Sequence, residues 1–104
     1  MKKINKKRVL ILGCSSDIGI EIAKIYLKNN FSILAHYYKG NKNFFSLIRE
    51  NQSNIKKVKF NFFTDNKKIE NFFKKKDILK SDIMINALGE IFETNYEKLS
   101  LKDF

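Results

Sequence analysis

Short apolar runs alternate along this chain with stretches whose apolar residues recur at helical spacing. Val9-Leu10-Ile11-Leu12 is a continuous apolar run ending at Gly13, the pattern of a strand buried on both faces. Ile18, Ile22, Ile25 and Tyr26 fall at i, i+4, i+7 and i+8 and predict one apolar stripe of a helix from Asp17 to Lys28, stopped by Asn29-Asn30. Phe31 to Tyr37 reads as a second strand, and Lys39-Gly40-Asn41 as a turn. Phe44, Phe45, Leu47 and Ile48 predict a second helix ending near Gln52, and Val58 to Phe63 a third strand. Ile69, Phe72 and Phe73 mark a third helix, with Thr64-Asp65 offering capping oxygens. Asp82 to Leu88 is a fourth strand closed by Gly89, and Ser100 looks like the cap of a fourth helix.

This β-α-β-α-β-α-β order predicts an α/β fold: a parallel sheet with helices on both faces. Right-handed crossovers leave few topologies, and a 3-2-1-4 strand order is expected. At 104 residues the chain makes one domain at most. With 43% hydrophobic and 31% charged residues it has the composition of a globular protein rather than a disordered one. No apolar run is long enough to span a membrane, and the run behind the basic start is too short for a signal-peptide core, so a cytoplasmic location is expected. One cysteine, Cys14, rules out an internal disulfide framework, and with one histidine, His36, a conventional metal site is not expected.

Charge admits two readings. Lys and Arg number 21 against 11 Asp and Glu, a net +10, which suits a nucleic-acid or membrane-surface binder. It also suits a Lys-, Asn-, Ile- and Phe-rich composition of the kind AT-rich codon usage produces. The lysines are dispersed, and only Arg8 and Arg49 are arginines, the residue better fitted to bidentate phosphate and base contacts. These facts favour the compositional reading, with no membrane and no nucleic acid as partner.

The candidate chemistry lies after the first strand. Gly13-Cys14-Ser15-Ser16-Asp17-Ile18-Gly19 leads from strand to helix, where free backbone N–H groups and the positive end of the helix dipole would meet a phosphate. Gly13 permits the tight turn, Ser15 and Ser16 can donate, and Gly19 permits close approach. The segment is neither G-x-G-x-x-G nor a P-loop, which needs a following Gly-Lys-Ser/Thr. A receiver-type signalling domain would need acidic residues where Gly13 to Ser16 stand.

The string LGCSSDIGIEIA resembles the TGASSGIGxAIA segment of the short-chain dehydrogenases/reductases, 3-oxoacyl-carrier-protein reductases among them. Leu12 departs from the usual Thr and loses a bracing hydroxyl. Asp17 departs from the middle Gly and places a carboxylate at the helix start, where the dipole suits it but a pyrophosphate does not. About 70 residues on, Asp82-Ile83-Met84-Ile85-Asn86-Ala87-Leu88-Gly89 is similar to the family's D-x-L-V-N-N-A-G. Asn86 and Gly89 match, and Ala87 replaces the second Asn. The resemblance covers residues 8 to 104.

The resemblance implies a Rossmann-type dinucleotide-binding half-domain, truncated after strand 4, within an NAD(P)-dependent oxidoreductase that moves a hydride between NADP(H) and a carbonyl or alcohol substrate. It implies cofactor contacts at Gly13, Ser15, Ser16, Asp17, Ile18 and Gly19, and at Asn86, Ala87 and Gly89. Tyr37 and Lys39 stand at the end of strand 2, where NAD-preferring members carry an acid. None is present in Ala35-His36-Tyr37-Tyr38-Lys39, so NADP is expected over NAD, with Lys39 and Lys42 as candidates for the 2′-phosphate. Phe60 to Asp65 resembles the family's adenine-contact segment. Its register is open: Asn61 matches with one inserted residue, Phe62 with none. The family's catalytic Ser and Tyr-x-x-x-Lys follow later in the fold, so no catalytic residue is expected within these 104 residues and no turnover from them alone. A literal Tyr-x-x-x-Lys at Tyr38 and Lys42 follows strand 2, on the adenosine side, and is not the catalytic pair. The full-length enzyme would be a homo-oligomer, as family members commonly are. The alternative is a non-catalytic nucleotide- or RNA-binding basic α/β module. Cys14 reads as a small filler or a redox thiol, and His36 as a satisfied strand-end histidine or an adenine-stacking one.

Overall fold

A computed structural model describes residues 6–88. Eight elements follow one another: β1 (Arg8–Leu12), α1 (Asp17–Lys28), β2 (Ser32–Tyr37), α2 (Lys42–Glu50), β3 (Ile55–Lys59), α3 (Asn66–Phe73), the single turn α4 (Lys76–Leu79) and β4 (Ile83–Asn86). The sheet is all-parallel with the order β3-β2-β1-β4, as the alternation of elements predicts. Among the described residues no helix is long and apolar enough to cross a membrane.

The alternation of side chains along β1 builds two cores. Val9 and Ile11 point to one face, where Ile33, Ala35, Ile20 and Phe44 complete the packing under α1 and α2. Leu10 and Leu12 point to the other, where Leu34, Ile69, Phe72 and Ile78 lie under α3 and α4. β1 and β2 are accordingly buried from both sides.

Two expectations change. The third strand is Ile55–Lys59, not Val58 to Phe63. It is an edge strand of the described sheet, of sequence IKKVK, and its lysines discourage pairing with further strands. In the more apolar Phe60 to Phe63 that follows it, Phe60 stacks on Phe72 at 4.4 Å and Phe62 lies 5.4 Å from the same ring, while Phe63 is exposed. The stripe on α1 is also different. Ile18 and Ile25 are 68% and 60% exposed, whereas Gly19, Ile20 and Ala23 are buried. Small residues let the helix lie close to the sheet, and that outweighs the larger isoleucine stripe. The turn α4 lies in a lysine-rich stretch that carries no helical pattern. The helix expected from Ser100 lies outside the described residues.

Capping sets the helix ends. Ser16, Asn41 and Asp65 each accept from an amide of the first turn, those of Gly19, Phe44 and Lys68. α1 ends at Asn29, and Asn30 takes the left-handed conformation with φ 67°.

Candidate functional site: the β1–α1 loop

Strand order reverses between β1 and β4, and in open parallel sheets such a switch point opens a crevice beyond the carboxyl ends of the strands. The loop between β1 and α1 and the end of β4 meet there. Ala87 N–H donates to Leu12 O at 2.8 Å. Gly13, at φ 75°, lies so close to Ala87 that an added Cβ would be 2.9 Å from its carbonyl oxygen. Ser16 Oγ lies 3.4 Å from the same oxygen. The two segments that carry the family resemblance are therefore in contact.

Hydrogen-bond accounting shows what the loop has to offer. The Gly13 amide donates to His36 Nδ1 at 3.0 Å, and the Cys14 amide to His36 O at 2.8 Å. Ser16 N–H donates to Gly13 O at 3.1 Å, and its hydroxyl to the same oxygen at 2.9 Å. Ser16 Oγ in turn accepts from Gly19 N–H at 2.9 Å. A cradle formed by every amide from 13 to 19 is thus not what the fold provides. The amides of Ser15, Asp17 and Ile18 have no hydrogen-bond partner among the described residues. Two of these belong to the first turn of α1, whose N–H groups have no intrahelical acceptor, and they sit at the positive end of its dipole. The exposed Asp17 carboxylate shares that helix start, but the cap itself is Ser16.

The second wall is the turn after β2. Ser15 Oγ donates to Lys39 O at 3.0 Å, and Asn41 Nδ2 donates to Ser15 O at 2.8 Å, while Asn41 Oδ1 accepts from Phe44 N–H. Lys39 is exposed at this rim, and Lys42 opens α2 beside it. Asn41, a turn residue by sequence, is also the cap of α2, as an Asn just before an apolar helical pattern signals.

The other candidates divide. Tyr37 is buried, its ring 5.0 Å from Phe44, and Phe62 is buried beside His36 and Phe72. Both rings are core. Asn61 Oδ1 accepts from Phe63 N–H, and Asn86 Oδ1 from Leu88 N–H, so each closes a tight local turn at a strand's carboxyl end. Gly89 lies outside the described residues.

His36 is 1% exposed and satisfied at both nitrogens. Nδ1 accepts from Gly13, so Nε2 carries the proton and donates to Phe60 O at 2.8 Å. Burial pulls its pKa down from 6.5 to about 4, against a smaller opposing effect of the Phe60 carbonyl. Burial likewise pushes the Cys14 thiol up to about 12, so this side chain is a neutral filler despite its place before a helix. Two clefts among the described residues are built mainly by other segments, and only the first reaches the loop, at Asp17. One of about 390 Å³ separates α1 from α2 and is lined by Asp17, Glu21, Lys24 and Glu50 among others. Another, of about 410 Å³, runs beside the β3 edge between Lys56, Lys57, Lys75 and Lys76.

No family model, no curated protein and no solved structure matches this chain.

Proposed function

We propose that this chain is the cofactor-binding part of an NADP-dependent oxidoreductase of the short-chain dehydrogenase/reductase kind, the whole enzyme transferring a hydride between NADP(H) and a carbonyl or alcohol. The observation that carries the reading is the set of open amides at Ser15, Asp17 and Ile18, placed at the start of α1 and at the switch point of a 3-2-1-4 sheet. A diphosphate on these donors would gain hydrogen bonds and the helix dipole together. Gly13 and Gly19 support the reading because the backbone there is too crowded for any side chain. The hydrogen bond from Ser15 to the Lys39 carbonyl brings the turn after β2 against the loop, which supports Lys39 as the partner of a 2′-phosphate. The whole chain titrated with NADPH and NADH by calorimetry tests this. Tighter binding of NADPH, without turnover of carbonyl substrates, is the expected result. Absence of dinucleotide binding, together with RNA binding lost steeply with salt, would replace this reading with that of a basic RNA-binding module.

A further inference from the structure

The His36 imidazole joins two loops that no backbone hydrogen bond connects among the described residues. On one side it accepts the Gly13 amide, the pivot of the β1–α1 loop; on the other it donates to Phe60, the first residue beyond β3. Its own backbone carbonyl holds the next amide of the loop, that of Cys14. No other side chain accepts from Gly13 N–H among the described residues. Gly13 has φ 75°, a conformation held by its surroundings rather than by a side chain of its own. A rotation of its peptide would redirect the residues that follow, including the open Ser15 amide.

We propose that His36 is a positioning residue for the anion-binding loop: by clasping Gly13 to Phe60 it fixes the diphosphate side and the adenine side of the crevice as one unit. The ligand part of this inference rests on the reading of the loop as a dinucleotide site; the clasp does not. A histidine suits the task because its two nitrogens, on opposite sides of a rigid ring, can accept toward one loop and donate toward the other. The rings of Phe62 and Phe72, at 4.8 and 5.8 Å, hold the imidazole edge-on and keep water from competing.

Nitrogen-15 NMR of the wild-type chain near neutral pH tests the clasp without any ligand. The expected result is an unprotonated Nδ1, a protonated Nε2 and a scalar coupling across the hydrogen bond between Gly13 N and His36 Nδ1. A protonated Nδ1 would overturn the proposal. Substitutions then separate the two halves. His36→Asn keeps an acceptor where Nδ1 stands, whereas His36→Gln keeps only a donor toward Phe60, and His36→Leu keeps neither. NADPH affinity is expected to fall about tenfold in the Gln and Leu variants and to stay within about threefold of wild type in the Asn variant, since a buried amide left without its acceptor is what the loop cannot tolerate. A folded Leu variant that binds as wild type, or an Asn variant no better than Leu, overturns the proposal. Where Leu fails to fold, the Asn–Gln comparison and the wild-type coupling decide. Should wild type bind no dinucleotide, the functional reading falls, and the coupling, with faster Gly13 amide exchange in the Gln variant, still decides the clasp.

Discussion

Gly19 packs against Gly13 so closely that a Cβ on Gly19 would stand 2.5 Å from the Gly13 carbonyl oxygen and 2.7 Å from Cys14 Cα. The obstruction is backbone, which cannot swing aside as a side chain would. This contact seats the first turn of α1 against the end of β1 and sets the direction of the open amides.

Gly19→Ala is therefore expected to destabilise the fold by about 1–3 kcal/mol, the usual cost of forcing a methyl group into a packed site. Urea denaturation measures it. An unchanged midpoint would show that the contact can relax.

Lys39→Ala leaves the carbonyl that accepts from Ser15 in place and removes only the charge. NADPH affinity should fall about tenfold, as for a hydrogen bond to a charged group, while NADH affinity stays the same. Equal losses for both cofactors would show that Lys39 does not meet the 2′-phosphate.

Much of this arrangement was legible in the chain. The runs Val9–Leu12 and Phe31–Tyr37 are apolar because β1 and β2 are the inner strands of the described sheet, covered on both faces, and the glycines at 13 and 19 mark the tight loop between β1 and α1. The edge strand β3 was not legible, because three of its five residues are exposed lysines and its two apolar residues, Ile55 and Val58, point to opposite faces, which leaves no period-2 alternation. Phe60 to Phe63 drew the strand toward itself because a loop that packs Phe60 and Phe62 on the core is as apolar in sequence as a strand. The partial occupation of the loop's amides was also hidden, since it depends on His36, a residue 23 positions away from Gly13.

His36 gives stability a defined pH window. Its folded pKa of about 4 lies below the 6.5 of an unperturbed imidazole, so between these values the unfolded chain binds a proton that the folded one does not. The stability from this group is full above pH 6.5, declines as pH drops toward 4, and levels off below. The total is about 3 kcal/mol. Asp77, held low by its hydrogen bond to Lys56, loses its contribution only below its ordinary value of 3.8, outside that window. Denaturant melts at pH 7 and pH 4.5 should differ for wild type and differ less for His36→Asn. Equal pH sensitivity in the two would assign the effect to other groups.

Cys14 should behave as an inert thiol. It is fully buried, and its thiolate is disfavoured by burial. Iodoacetamide at neutral pH should leave it unmodified in the folded chain and alkylate it in urea. Rapid labelling of the native protein would restore a redox role.

The most direct test follows backbone amides during a titration of the whole chain with NADPH. Binding at the start of α1 predicts the largest amide shifts at Ser15, Asp17 and Ile18, with smaller ones at Lys39 and Ala87. Shifts confined to Lys56, Lys57, Lys75 and Lys76 along the β3 edge, or no shifts at all, would contradict it.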